Sequence, residues 1–548
     1  MKKLLSIKVV LFVSFFLLFR SIYSQVPGKY WIQFIDKQYS SYNINEPEKF
    51  LSEKAINKRK KYNISIDESD LPVSQYYIDS IQKLGFTLLT TSKWFNAATV
   101  YTPDTSNIRL LRNITFINKI EKTANLAPLK SSRSNKFNIK TDTNVSSLTN
   151  DTYGQSYEQI HQLNGDFLHQ MGYRGKGMDI AIIDAGFYDA NQLPAFDSLF
   201  QDNRINGTKD FVNPGGNVYQ EYEHGMWVLS LIGGNIPGTI LGTAPDASFW
   251  LLRSEDAATE NPIEEDNWVS AAEFADSAGV DVINTSLGYS IFDDSSFNLS
   301  YKDMNGKTTR IAIAANIAAS KGMLVVVSAG NSGDDPWHYI TTPADAFNIL
   351  AVGAVDYTGT KAWFSSFGPS YDGRIKPNIV AMGVNDYIQN TDGTFGTGSG
   401  TSFSAPLITG LAACLWQAFP NASNAELIRT IELSANHYLS PDNSTGYGIP
   451  DFERAYNLFK NSFSTINVNN RLFPNPFNNF ICVDLRDFSN DAINIEIYNS
   501  IGAKINQFTV NNEYPVVITN GIEALQTGMY IIKCSDNKTT ESFKIIKY

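Results

Sequence analysis

Between residues 177 and 355 the chain carries five short apolar runs: "GMDIAIIDAG", "ASFWLLRS", "VDVINTSLG", "GMLVVVSAGN" and "FNILAVGAV". They are apolar at nearly every position rather than at every second one, which suits strands buried on both faces. The stretches between them, such as "NWVSAAEFADSAG", read as helices. Strands alternating with helices predict an α/β domain over residues 153–459, built on a parallel doubly wound sheet. Ligands bind such a sheet at the carboxyl ends of its strands.

The pattern changes on either side. Residues 28–122 read β-α-α-β-β-α-β, which predicts a small α+β unit with its helices on one sheet face. Residues 471–548 alternate with period two, as in "FICVDLRD", "INIEIYNSIG" and "MYIIKCSD", and predict an all-β sandwich. Residues 123–152 and 460–470 are polar, too poor in apolar residues to bury a core, and read as linkers.

The first residues, "MKKLLSIKVVLFVSFFLLFRSIYSQ", join Lys2, Lys3 and Lys8 to an apolar core and then small Ser24. That is the layout of a secretory signal peptide over residues 1–24, too short to span a bilayer comfortably. No other run approaches membrane-spanning length, so no transmembrane span is expected in the mature chain. The formal charge of −11 argues against nucleic acid as a partner, because phosphate binding needs a basic face. Three cysteines in 548 residues exclude a disulfide scaffold. Cys414 falls in an apolar helix and reads as core, whereas pairing of Cys482 with Cys534 stays open.

The candidate chemistry starts at "GTGSGTSFSAPLITGLAACLW", where Ser402 precedes a helix apolar on nearly every face. Pro406 is expected in that helix's first turn. A serine at the N-terminus of a buried helix is either a cap or a nucleophile whose oxyanion product is stabilised there. Its base has to come from five histidines. His161 and His169 read as surface residues, His338 lies in an aromatic loop and His437 near a helix end. His224, in "YEHGMWVLSLIGG", starts a second buried helix. Asp184 ends the first core strand, and a carboxylate there needs a partner such as an imidazole. Asn331 ends another strand and carries an N–H₂ able to donate to an oxyanion. Each of these four has a plain alternative as a cap or turn residue. Four such coincidences at strand and helix ends of one sheet are improbable together.

The motifs "DIAIIDAGF", "HGMWVLSLIGG", "NTSLG", "VVVSAGNSG" and "GTSFSAP" resemble the subtilisin-like serine peptidases, in that family's order Asp, His, Asn, Ser. The resemblance covers roughly residues 153–459 and implies a secreted serine endopeptidase acting on protein or peptide substrates. It implies Asp184, His224 and Ser402 as the triad, Asn331 as oxyanion donor, and Ser286, Leu287, Gly288 and Gly330 as substrate-binding positions. Ala185 and Met226 depart from the family's usual Thr or Ser after the Asp and Thr after the His-Gly pair. Residues 25–122 look like the propeptide of such enzymes, an intramolecular chaperone and inhibitor. The last domain, with "LFPNPFNN", "LQTGMYIIK" and "FKIIKY", is similar to the C-terminal sorting domain of type IX secretion. That likeness implies export through the periplasm of a Gram-negative bacterium to the surface or medium, with the secretion machinery as partner.

Two motifs point elsewhere and fail. The glycines of "GYRGKGMDIAII" precede the strand, whereas a dinucleotide site needs them after it. "DMNGK" lacks the rest of a calcium loop and reads as a turn. No cofactor is required by this chemistry; structural calcium is common in the family, but its ligands are not assignable from sequence. The rival reading, an adhesion protein on an inactive peptidase scaffold, would be favoured by a missing triad member, and none is missing.

Overall fold

The computed structural model describes residues 27–125, 137, 148–464, 472–473, 477, 481–483, 485, 488, 492–511, 516–518, 522 and 525–547. The proposed signal peptide lies outside them. Among the described residues no helix is long and apolar enough to cross a membrane.

Seven strands form the central sheet, in the order Ile379–Met382, Leu350–Val355, Leu324–Ser328, Val282–Thr285, Asp179–Asp184, Ser248–Arg253, Ile205–Asp210. Every adjacent pair is parallel. The continuous apolar runs explain why. Ile180, Ile182, Val282, Leu324 and Val326 face one core, with the helices His224–Gly233 and Thr401–Ala418. Ala181, Ile183, Ile283, Val325 and Val327 face the other, with the helices Ile263–Ala278 and Arg310–Ser320. Neighbours along a strand point to opposite faces, so a strand with helices on both sides must be apolar at every position. Asp184 pairs in register with Arg253, and Thr285 with Ile183 and Val327, which sets the carboxyl ends along one edge.

The N-terminal unit is a four-stranded antiparallel sheet, Thr87–Ser92, Ala97–Thr102, Gly28–Phe34, Ile117–Asn125, with the expected element order. It rests on the helix Ile263–Ala278. Thr90 and Ser270 share a hydroxyl contact of 2.6 Å, and Glu273 accepts from Ser92 Oγ (2.5 Å), Lys93 N–H (2.7 Å) and Trp94 N–H (3.0 Å). Asp276 takes Arg59 at 2.7 Å and Lys93 at 3.0 Å, all three nearly fully buried. Burial alone would raise the Asp276 carboxyl; the two cations outweigh it and hold it below the ordinary carboxylate value. Removing one partner of a buried pair strands the other charge at a cost of about 3–5 kcal/mol. Asp276→Ala should therefore lower the unfolding free energy of the precursor by about that much. An unchanged denaturant midpoint would mean that the cations find other partners.

The C-terminal unit packs two antiparallel sheets, one of three strands and one of four, around Ile481, Val483, Ile493, Ile495, Ile497, Ile532 and Ile545. Cys534 is free and buried in this core, so it does not pair with Cys482.

Candidate active site

The helix Thr401–Ala418 is buried along its whole first sixteen residues, and Gly400 is its N-cap. Ser402 is the second helical residue, so it does not cap the helix. The capping role passes to Asn331, whose side-chain oxygen accepts from Thr401 N–H at 2.8 Å and Thr401 Oγ1 at 2.9 Å. These two bonds fix the amide's orientation and leave its N–H₂ for another acceptor. A Cβ on Gly400 would lie 3.3 Å from that nitrogen, which puts the donor beside the serine's helix start.

Ser402 is 9% exposed, and its Oγ donates to the Ser286 carbonyl at 3.1 Å. Pro406 stands in the second turn, not the first as expected, because the helix starts at Thr401. Its missing N–H would have bonded the Ser402 carbonyl four residues back. That carbonyl instead accepts from Ser286 Oγ at 3.0 Å. The proline thus frees an acceptor that ties the serine's backbone to the strand end at Ser286. Leu287 is buried, and a Cβ on Gly288 would collide with Thr341 Oγ1, which favours glycine there. Gly330 has φ 110°, a conformation that favours glycine, with Ser366 and Thr341 hydroxyls closing in on the absent Cβ.

His224 opens its helix and is 3% exposed. Its Nδ1 lies 2.7 Å from Asp184 Oδ1, which also accepts from Ala185 N–H at 2.7 Å. Gly225 makes this approach possible: a Cβ there would strike the Gly186 carbonyl at 2.5 Å and Asp184 Cβ at 2.9 Å. The two departures from the family pattern, Ala185 and Met226, are fully buried apolar residues. Phe403 stands 6.2 Å from the His224 ring, so histidine and serine helices meet at this edge. In this structure Ser402 Oγ bonds Ser286 and not His224.

Other expectations change. His169 is buried, not on the surface; Tyr153 and the Thr243 carbonyl hold its two ring nitrogens at 3.0 Å, and burial lowers its pKa to about 4. One contact was not foreseen at all. Phe137, in the stretch read as a polar linker, is buried against the His224 ring with centroids 4.5 Å apart, and against Tyr222 at 5.6 Å. A lone aromatic among polar residues gives no signal of what it will touch.

Residues 175–448 match the model of the subtilase family, residues 29–140 that of the peptidase S8 propeptide domain of Bacteroidota, and residues 471–548 that of the secretion system C-terminal sorting domain. Subtilisin NAT of Bacillus subtilis subsp. natto is 31% identical over 323 residues, covering 57% of this chain and 74% of its own. A subtilisin of Bacillus pumilus is 30% identical over 304 residues, covering 54% and 97%. Among solved structures, MycP1 of Mycobacterium smegmatis aligns with TM-score 0.45 and 24% identity, over 59% of this chain and 89% of that one.

Proposed function

The chain belongs to the subtilase family and is a serine-type endopeptidase carrying a propeptide domain and a sorting domain for secretion or surface attachment, and from that premise we propose how it works. Ser402 is the nucleophile, His224 its general base and Asp184 the group that orients and stabilises the imidazolium. The buried Asp184–His224 bond of 2.7 Å carries this reading. With Nδ1 committed to the carboxylate, Nε2 is the nitrogen left to take the Ser402 proton. Attack on the scissile carbonyl gives an oxyanion, which the Asn331 amide and the Ser402 backbone N–H at the start of its helix stabilise. Collapse expels the amine, protonated by His224, and leaves an acyl-enzyme that water hydrolyses. Ser286, Leu287, Gly288 and Gly330 bind substrate backbone in the manner of an added strand.

The enzyme is made as a zymogen. Phe137 against the His224 ring is the support: a residue from the propeptide side covers the base. A serine-directed organophosphonate tests the reading. It should label the mature protein at Ser402, and labelling that persists in Ser402→Ala would overturn the assignment. The polar stretch before residue 471 and the separate core after it support a sorting unit that folds by itself. Deleting residues 471–548 should leave activity in periplasmic extracts and little at the surface or in the medium. Normal surface delivery of that shortened chain would remove the sorting role.

A further inference from the structure

The propeptide unit reaches an edge of the catalytic domain far from the cleft. Its helix Glu53–Lys61 carries Lys54, Lys58, Arg59, Lys60 and Lys61. The first three share a face, since positions i, i+4 and i+5 lie together on a helix. That face lies against the amino ends of the central strands, the edge opposite the triad. Ser52 N–H donates to the Ser277 carbonyl at 2.8 Å. Gly279 closes the helix Ile263–Ala278 at φ 85°, and a Cβ there would strike Ala55 N at 2.7 Å and Lys54 Cβ at 2.9 Å. Arg59 Nη1 donates at 2.7 Å to the carbonyl of Lys321, which ends the helix Arg310–Ser320. One propeptide helix thus touches the turns that lead into the strands Val282–Thr285 and Leu324–Ser328.

At those turns the helix meets a pair of like charges. Asp179 opens the strand Asp179–Asp184, and Asp281 immediately precedes Val282. Asp281 N–H donates to the Asp179 carbonyl at 2.9 Å, and Leu324 N–H to the Asp281 carbonyl at 2.9 Å, so these residues stitch three neighbouring strands together at their starts. The two carboxylates share one cation: Lys54 Nζ lies 2.7 Å from Asp179 Oδ2 and 2.7 Å from Asp281 Oδ2. Lys58, which is 7% exposed, stands 3.2 Å from Asp281 Oδ1 and donates to the Val280 carbonyl. Burial alone would raise the Asp281 carboxyl; Lys58 and Lys54 outweigh it and hold it below its ordinary value. Among the described residues these two lysines are the only cations on either acid. The catalytic domain itself offers neutral donors: Asn206 Nδ2 to Asp179 Oδ1 at 3.0 Å, and Asp179 N–H to Asp281 Oδ2 at 3.0 Å. The counter-charge to the pair therefore comes from the segment that maturation removes.

We propose that the helix Glu53–Lys61 is a removable electrostatic clamp: Lys54 and Lys58 let Asp179 and Asp281 close the amino edge of the sheet during folding, and their departure leaves the matured enzyme with an uncompensated carboxylate pair. This rests on the zymogen reading above and names the contact through which the propeptide assists folding. Asp179 and Asp281 are 102 residues apart, and parallel pairing over such a separation is slow to form. Two carboxylates arriving side by side oppose it further, and an ammonium between them reverses the sign. Once the sheet is packed on both faces, the barrier to unfolding holds the domain together without the clamp. The clamp stays out of the reaction, because Asp179 and Asp184 are opposite ends of one strand, about 17 Å apart.

Asp281→Asn and Asp179→Asn are compared in two forms of the full chain: the precursor, kept intact by Ser402→Ala, and the matured enzyme, labelled with the serine-directed organophosphonate to stop autolysis. In the precursor Asp281→Asn strands the buried Lys58, and the melting temperature should fall by about 5 °C or more, with a smaller fall for Asp179→Asn. In the matured form the same changes remove a repulsion, and the melting temperature should rise by about 1–3 °C, more at low salt. A merely structural acid would not reverse sign between the two forms. Unlabelled matured variants should keep the wild-type kcat. Lys54→Ala should lower the yield of matured enzyme several-fold, and adding Asp179→Lys should restore it by placing a cation beside Asp281 from within the domain. Asparagine variants that lower the melting temperature of both forms overturn the proposal. So does a Lys54→Ala chain that matures at the wild-type yield, or a double variant no better than Lys54→Ala. If Asp281→Asn yields no matured enzyme, Asp179→Asn decides, because Lys58 keeps its carboxylate there. Residues 25–122 still attached to the active wild-type enzyme would sink the zymogen reading beneath the clamp. Their removal without the reversal of sign sinks the clamp alone.

Discussion

Ser402→Ala is expected to lose about 10⁶-fold in kcat, the size of effect that removing this nucleophile has in a subtilisin and carried over from there. What remains is a residual acceleration over water from binding and the oxyanion donors. The fold should survive. The substitution deletes one hydroxyl, whose partner in this structure is the Ser286 carbonyl, and alanine suits a helix at least as well as serine. The Ser402 carbonyl keeps its bond from Ser286 Oγ, so the helix start stays tied to its strand. The same variant should accumulate with residues 25–122 attached, because self-processing needs the nucleophile. Mass spectrometry of the purified variant, prepared without another protease, reads this directly. Normal N-terminal maturation there would show that the propeptide is removed by something else.

Asn331→Leu is expected to slow the chemical step about 10²–10³-fold while KM changes little. That magnitude too comes from a subtilisin, and it corresponds to roughly 2.7–4 kcal/mol. The lost N–H donor faces a charge that exists in the transition state and hardly at all in the bound substrate. Losses of that kind lower kcat and kcat/KM together. The structure adds a cost invisible in the sequence. The Asn331 oxygen caps Thr401 N–H and Oγ1, and leucine leaves both without an acceptor. Losing a cap of this kind costs about 0.5–2 kcal/mol in stability. Asn331→Asp keeps the acceptor and loses only the donor, so it should be slow yet as stable as the wild type. Steady-state kinetics on a peptide anilide, paired with thermal melts, separates the two effects. Wild-type kcat in both variants would reduce Asn331 to a cap.

How much of this was legible beforehand differs from residue to residue. Asp184, His224, Asn331 and Ser402 stand out in the chain because each is polar at the border of a long apolar run, where burial is costly without a partner. The parallel sheet is legible for the same reason: "IAII" and "VVV" have no polar side to turn to water. Pro406 was misplaced by one turn, since propensity does not locate a helix start that a distant asparagine supplies. His169 was misjudged because its partners, Tyr153 and Thr243, lie 16 and 74 residues away.

The sequence by itself determined the layers, the strand edge that would carry the chemistry, and the identity of the side chains on it. These follow from periodicity and burial, which are local and repeat along the chain. Only the tertiary structure decided which groups meet. The 2.7 Å bond between Asp184 and His224 depends on the bare Cα of Gly225 slipping past Gly186. The Phe137 contact joins a linker residue to a helix 87 residues later. Such contacts are set by the paths of separate elements across the sheet, and no local pattern of residues encodes the distance between them.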